Sequence, residues 1–496
     1  MPLLSFLCFY IIFAYLYLFL SQQIIRLRIC PNPAYTGIGI KCLWGVKQMG
    51  STQLTGRVIF KGDPGYAQAV KNWNPYVDVC PLVFVFAQNS YDVSNAIKWA
   101  RENNVPLRVR SGRHALDRNL SVVSDGIVID VSDMNKVLLD EKNAIATVQT
   151  GIHVGPLVKG LARDGFMAPF GDSPTVGIGG ITMGGGFGVL SRSIGLISDN
   201  LLALKMVDAK GRIIQANQSH NEDLLWASRG GGGGNFGYNT QYTFKVHRAP
   251  KTATVFNIIW PWEQLETVFK AWQKWAPFTD ERLGCYLEIY SKVNGLCHAE
   301  GLFLGSKPEL IQLLKPLLNA GTPTRTIIKT LYYPDCIDFL DPDEPIPGRS
   351  DQSVKFSSAW ALNLWPEKPI SVMRQFLEKA TGTETNFFFI NWGGAISRVP
   401  SSETAFFWRR PLFYTEWTAS WKNKSQEASN LASVERVRQL LKPYVTGSYV
   451  NVPDQNIENF GKAYYGSNFA RLQRVKAKYD PENVFHFPQS IPPSYK

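Results

Sequence analysis

No Cys-x-x-Cys pair, no zinc-finger spacing, no aromatic RNA-binding motif and no long basic run occurs in this 496-residue chain. Those absences remove the usual sequence evidence for a structural metal or for nucleic-acid recognition, and neither partner is expected. Seven cysteines stand at 8, 30, 42, 80, 285, 297 and 336. The last four lack the tight, even spacing of a secreted disulfide scaffold, so reduced, buried thiols are expected there. Charged residues make up only 19% against 45% hydrophobic, which excludes extensive disorder. Neither an internal repeat nor a low-complexity tract is present. The formal net charge of +12, with no run to concentrate it, reads as a diffuse positive surface; an anionic cofactor would also suit it. The length implies two packed domains.

Residues 3–20 are uncharged and mostly apolar, just long enough to span a bilayer, and Arg26 and Arg28 follow. Read as a signal anchor, that order keeps the body cytoplasmic. A cleaved secretory signal fits less well, because no Lys or Arg precedes the run and no small-x-small site follows it. A third reading takes residues 1–48 as a mis-called upstream extension, since Trp44-Gly45 is encoded by TGGGGN, a purine-rich stretch of ribosome-binding type. The protein is therefore expected to be cytoplasmic, with membrane contact only if residues 3–20 are real.

From Val83 the pattern reads strand, a helix capped by Ser90 with Val93, Ala96, Ile97 and Ala100 on one face, then Pro106 and a second strand at 107–109. Another strand follows at 127–131. Residues 171–188 hold eight glycines. Each would cost roughly 0.5 to 1 kcal/mol inside regular structure, a sum that rivals a whole domain's stability of about 5 to 15 kcal/mol. Loops against a ligand are the expectation. A second cluster, Gly230 to Gly234, precedes an alternating strand carrying Tyr242, Phe244 and Val246. Past Pro250 amphipathic segments such as Leu265–Trp275 alternate with apolar strands, which implies helices against an antiparallel sheet. Residues 341–353 read as a long loop. A last helix from Ser467 puts Phe469, Leu472 and Val475 on one side and stops at Asp480-Pro481.

Glycine clusters after strands suggest backbone amides closing on phosphates. The spacing Gly232-x-Gly234-x-x-Gly237 mimics the dinucleotide fingerprint, but a strand follows it where that fold needs a helix. The stretch Leu107-Arg108-Val109-Arg110-Ser111-Gly112-Arg113-His114 is a strand running into a turn that ends on an imidazole. Together with Tyr465-Gly466-Ser467-Asn468-Phe469-x-Arg471-Leu472, Asp480-Pro481-Glu482-Asn483-Val484-Phe485 and Gln489-Ser490-Ile491-Pro492, it resembles the berberine-bridge-enzyme-like flavoproteins over roughly residues 50–496.

The resemblance implies an α+β fold: a PCMH-type (vanillyl-alcohol-oxidase-type) two-lobed FAD-binding domain over 49–247, with its core at 76–247, and a substrate domain over 248–447 in which helices flank an antiparallel sheet. A segment at 448–496 would return to the FAD domain. It implies FAD joined covalently to His114, with the amides of Ser111, Gly112 and Arg113 at the pyrophosphate. Arg113 stands where the family usually has a second glycine, so its side chain must point away. The cysteine that gives many members a second covalent bond is Ser173 here, in Ser173-Pro174-Thr175-Val176-Gly177, and a single bond is expected. Further cofactor contacts are implied at Arg110, Ala115, Thr175, Gly179, Gly180, Asp199, Asn200, Gly234, Asn235, Gly237, Asn468 and Gln489. Val176 occupies the position where valine accompanies oxidases in the family, so O2 is the implied acceptor.

On the chemical side the family's tyrosine in Asn-Tyr-x-Asp is Val452 here, which puts a copied mechanism in doubt. Glu416 matches a position that carries the base in some members, and its aromatic neighbours would desolvate it and raise its pKa. Tyr414 and Tyr449 are the reserve phenols. The resulting expectation is an FAD-dependent oxidase that takes a hydride from an alcohol, saccharide or aromatic small molecule. An FAD-linked dehydrogenase with another acceptor, and a flavin-binding coat-like protein that has lost activity, are the alternatives.

Overall fold

Three β-sheets carry the architecture. The computed structural model describes residues 51–76, 79–171, 173–340 and 351–494, and these pack as one unit. The apolar run at 3–20, the question of residues 1–48 and most of the loop expected at 341–353 lie outside the described residues. Among those described, no helix is long and apolar enough to cross a membrane.

The first sheet contains β1 (Arg57–Phe60), β2 (Val83–Phe86), β3 (Leu107–Arg110) and β4 (Ile127–Asp130), in the order β1-β2-β4-β3. All four residues of β2 and of β4 are buried, as continuous apolar runs in a parallel pair should be. The crossover helix Ser90–Glu102 buries Val93, Ala96, Ile97 and Ala100, the face read from the sequence. Its cap is Asn89 and not Ser90, because the Asn89 side chain reaches the amides of Tyr91 and Asp92 at 2.9 and 3.2 Å.

A second sheet joins β5 (Val137–Asp140), β6 (Ile145–Gln149), β8 (Leu201–Val207), β9 (Ile213–Asn217) and β10 (Tyr238–Lys245), in the order β5-β6-β10-β8-β9. A two-stranded ribbon pairs β7 (Phe166–Met167) with β11 (His247–Arg248). The glycine-rich 171–188 stretch is less irregular than expected, since Ile178–Met183 forms a short helix that includes Gly179 and Gly180.

The third sheet has seven strands: β12 (Thr252–Pro261), β13 (Leu283–Tyr290), β14 (Leu296–Phe303), β15 (Arg325–Tyr332), β16 (Ser353–Ala361), β17 (Asn386–Asn391) and β18 (Phe413–Trp421). Their order is β15-β12-β14-β13-β17-β18-β16, and every pairing is antiparallel. Strand side chains alternate between faces. On one face Leu287, Ile289, Phe387, Phe389, Phe413 and Trp417 pack with Leu265, Phe269 and Trp272 of helix Leu265–Trp275 and with Leu377 and Leu441 of helices Glu367–Lys379 and Glu427–Leu441. Cys285, Cys297 and Cys336 are free and buried. Cys80 departs from the reduced state expected of it, being disulfide-bonded.

The last helix, Phe469–Tyr479, buries Leu472 and Val475 and ends at Asp480. Lys476 projects from it into the interior, where Nζ donates to the Asn235 carbonyl (2.6 Å), the Phe485 carbonyl (2.6 Å) and the Asp480 carboxylate (2.7 Å). Asp480 also accepts the amides of Val484 and Phe485, and Asn235 Oδ1 accepts the amide of Ile491. One buried ion pair thereby ties the C-terminal segment to the second glycine cluster. Removing only its cation leaves a carboxylate with no counter-charge, a change that costs about 3 to 5 kcal/mol. Lys476→Met is accordingly expected to lower the unfolding free energy by that amount in a denaturant titration; a loss under about 1 kcal/mol would contradict the clamp.

Candidate active site

A cavity of about 870 Å³ opens between the first two sheets and the uncovered face of the seven-stranded sheet. One wall is the turn after β3. Gly112 and Gly177 meet there backbone to backbone: a Cβ on Gly112 would lie 2.0 Å from the Gly177 nitrogen, and one on Gly177 would lie 2.3 Å from the Gly112 nitrogen. Only residues without a side chain permit that approach. It brings Thr175 to His114, with Oγ1 2.7 Å from Nε2. Trp73 stacks on the other side of the imidazole at 5.3 Å between centroids. Desolvation in the cleft, with a smaller contribution from the charge of His153, drives the His114 pKa down to about 3, so the ring is neutral at physiological pH.

Arg113 takes a left-handed backbone, φ 63°, in the position where the resembled family usually has a glycine. Its guanidinium does point away, lying 3.7 Å from the buried Asp130 and over the Phe86 ring. Asp130 also accepts from Arg110 Nε at 2.6 Å.

The donors of this wall fit a dinucleotide. Among the described residues the amides of 112–115, and those of Gly233 and Gly234 beside β3, meet no backbone acceptor, and the buried Arg110 Nη2 has no partner. N–H groups left without protein acceptors on a cavity wall are what a pyrophosphate requires. Arg110, Ser111, Gly112, Arg113, His114, Ala115, Ser173, Val176, Gly179, Gly180, Gly234, Asn235 and Gln489 all line the cavity.

Four residues implied as cofactor contacts do not line this cavity. Asp199 forms a two-pronged ion pair with Arg409 at 2.8 and 2.7 Å. Asn200 holds the Ile194 and Leu196 carbonyls and His247. Asn468 donates to the carbonyls of Ser401, Thr404 and Ala405. Gly237, at φ 157°, fits against Met206, which an added Cβ would strike at 2.6 Å. Each position matters to a loop behind the cleft, and sequence likeness cannot distinguish such support from contact.

The opposite wall is the polar face of the seven-stranded sheet. Glu416 lies on β18, an interior strand. Tyr414, two residues earlier and fully buried, donates its hydroxyl to Glu416 Oε2 at 2.7 Å. The carboxyl keeps part of its surface on the cavity. Desolvation raises its pKa to about 7, the Tyr414 hydrogen bond opposing and the charge of Glu288 adding to the rise. Tyr449 also faces the cavity, but its oxygen accepts from the Gly186 amide (3.0 Å) and Asn451 Nδ2 (2.8 Å), and burial pushes its pKa well up. Val452 lines the same region.

The sequence reading missed Tyr286, Glu288, Tyr290, His298 and Glu300, all on this wall. Their signal was alternation: Tyr286-x-Glu288-x-Tyr290 and His298-x-Glu300 interleave with buried Leu287, Ile289 and Ala299. Alternation marks a polar face without saying whether water or protein covers it.

A pyrophosphate-ready glycine turn ending on histidine, facing a carboxyl-bearing sheet, defines a flavin-linked oxidoreductase. The comparisons agree. A family model described as an FAD binding domain matches residues 81–217, and one described as "Berberine and berberine like" matches 448–492. The uncharacterized FAD-linked oxidoreductase YvdP of Bacillus subtilis (strain 168) is 89% identical over 446 residues, which are 90% of this chain and 100% of that protein. Among solved structures, BBE-like 1 of Physcomitrella patens superposes with a TM-score of 0.81 at 29% identity, covering 89% of this chain and 98% of its own. A Phl p 4 variant described as a glucose oxidase gives 0.78 at 26%, covering 88% and 97%. The chain belongs to the berberine-bridge-enzyme-like FAD-linked oxidoreductases, with their two-lobed FAD-binding architecture and second sheet-and-helix domain.

Because the Gly112–Gly177 contact has no space to yield, Gly177→Ala is expected to cost about 1 to 3 kcal/mol through overpacking and to weaken FAD retention. Thermal unfolding and the ratio of flavin to protein absorbance check this; parental values for both would refute the contact.

Proposed function

We propose that the protein is an FAD-dependent oxidase that removes a hydride and a proton from a small alcohol or saccharide, with Glu416 as the base. The observation that carries this is the Tyr414–Glu416 pair: a carboxyl on the cavity wall, its pKa lifted to about 7, held in place by a buried phenol. When bound, FAD supplies the hydride acceptor and its own reoxidation by O2. The chain's part is orientation and proton handling. Glu416 takes the hydroxyl proton, a transfer favoured when the base titrates near the working pH. Tyr414 fixes the rotamer of the carboxyl, and its hydrogen bond opposes the desolvation that would otherwise keep the proton on. Tyr449, fastened by Gly186 and Asn451, pins the 184–188 loop against the substrate space.

His114 is the residue that would bond the cofactor. Its neutral imidazole, positioned by Thr175 and Trp73, retains a nucleophilic lone pair. Ser173 lacks the thiol for a second bond. Val176 lines the cavity beside this turn and supports O2 as acceptor. The likeness to a glucose oxidase variant supports the saccharide reading.

Two measurements test the assignment. Glu416→Gln, with flavin still bound, should reduce the rate of anaerobic flavin bleaching by about 10² to 10⁴-fold. The parent's bleaching rate should rise with pH through about 7 as the carboxyl loses its proton, and that rise should vanish in the variant. An unchanged rate or pH profile would remove Glu416 from the role. Separately, acid precipitation should leave the yellow colour with the protein in the parent and release it in His114→Ala; colour wholly in the parent's supernatant would exclude the covalent bond.

A further inference from the structure

The substrate wall carries more negative charge than proton abstraction needs. Glu288 and Glu300 face the cavity from β13 and β14, and His298 sits between them with Nε2 4.0 Å from each carboxylate. Glu288 accepts from the Tyr290 hydroxyl at 2.6 Å, and Glu300 from Asn257 Nδ2 at 3.2 Å; burial lowers the His298 pKa, but the two carboxylates outweigh it and raise it overall, so the two carboxylates share at most one cation and retain acceptor capacity. Among the described residues no lysine lines the cavity. Its three arginines belong to the opposite wall and are engaged there: Arg108 by the Asn119 and Leu107 carbonyls, Arg110 and Arg113 by Asp130.

A second observation points to a ligand. Tyr286, directly across the ladder from Glu300, lines the cavity and is only 4% exposed, yet among the described residues its hydroxyl meets no hydrogen-bond partner. Buried hydroxyls are rarely left so. Phe388 packs on Tyr286 at 5.1 Å, and Tyr290 lies parallel to His298 at 6.2 Å. Carboxylates among aromatic faces recognise an ammonium group, through charge-assisted hydrogen bonds and the negative face of the rings.

Resting on the oxidase reading above, we propose that Glu288, Glu300 and Tyr286 form a subsite for a cationic amine, so that the substrate is an amine-bearing alcohol or sugar. In a chain of net charge +12, this wall is where a cation is drawn inward. Glu416, separated from Glu288 by Phe388 in the ladder, then faces the hydroxyl-bearing carbon of the same molecule.

The test uses the flavin-loaded protein without oxygen, at neutral pH, and reads binding from the perturbation of the flavin absorption band. Three matched pairs serve as probes: benzylamine and benzyl alcohol, cyclohexylamine and cyclohexanol, 6-amino-6-deoxyglucose and glucose. The ammonium member of each pair should bind about tenfold more tightly, the size of one charge-assisted hydrogen bond, and the preference should fall to within about twofold in Glu288→Gln and Glu300→Gln. Equal binding within the pairs in the parent protein, which needs no variant to fold, overturns the proposal, as does a preference that survives both substitutions. Glu416-dependent bleaching by alcohols without any amine preference leaves the oxidase standing and removes the cation subsite. An amine preference without bleaching does the reverse.

Discussion

Everything in this molecule that concerns chemistry follows from covering the polar face of a β-sheet with protein. The seven-stranded sheet buries one face under helices through apolar packing alone. The other face, with Glu288, Glu300 and Glu416, closes against the glycine turns of the first two sheets instead of water. Carboxyls removed from water need hydrogen bonds, partners or a proton. Here they obtain Tyr290, Asn257 and Tyr414, and Glu416 shifts toward the neutral acid. The raised pKa of Glu416 is a consequence of enclosure.

The facing wall is governed by the opposite economy. It is built from backbone, because only glycines let the turn after β3 and the 171–188 stretch touch at Gly112 and Gly177. Amides without acceptors are the result, and they suit an anionic cofactor. The C-terminal segment completes the enclosure through the Lys476–Asp480 pair, which holds residues 485–489 at the cavity edge. The segment 485–489 is thus as much part of the cavity wall as the turn after β3. Strain is kept to a few places, such as Arg113 at φ 63°, where Asp130 and Phe86 anchor the side chain.

The departures from the sequence reading share a cause. Asp199, Asn200, Gly237 and Asn468 sit in segments that resemble the family's cofactor loops, but their side chains or close packing serve the loops themselves. Asn468, for example, gathers three carbonyls from 401–405, a contact some 65 residues away that no local pattern encodes. Cys80 was expected to be a free thiol and is paired, because spacing along the chain says nothing about proximity in space.

What the sequence alone determined is local or inherited: the buried faces of helices Ser90–Glu102 and Leu265–Trp275, the parallel pair of apolar strands, the histidine-ended turn, the missing second thiol at Ser173, and the family itself. These rest on periodicity, glycine and short motifs, which act over a few residues. Only the tertiary structure decided that the alternating Tyr286, Glu288 and Tyr290 face a cavity and not solvent, that Tyr414 supports Glu416 while Tyr449 fastens a loop, and that among the described residues no lysine or arginine of the sheet lines that wall. A strand's two-residue period divides its side chains into two faces; which face is enclosed, and by what, depends on segments more than a hundred residues distant.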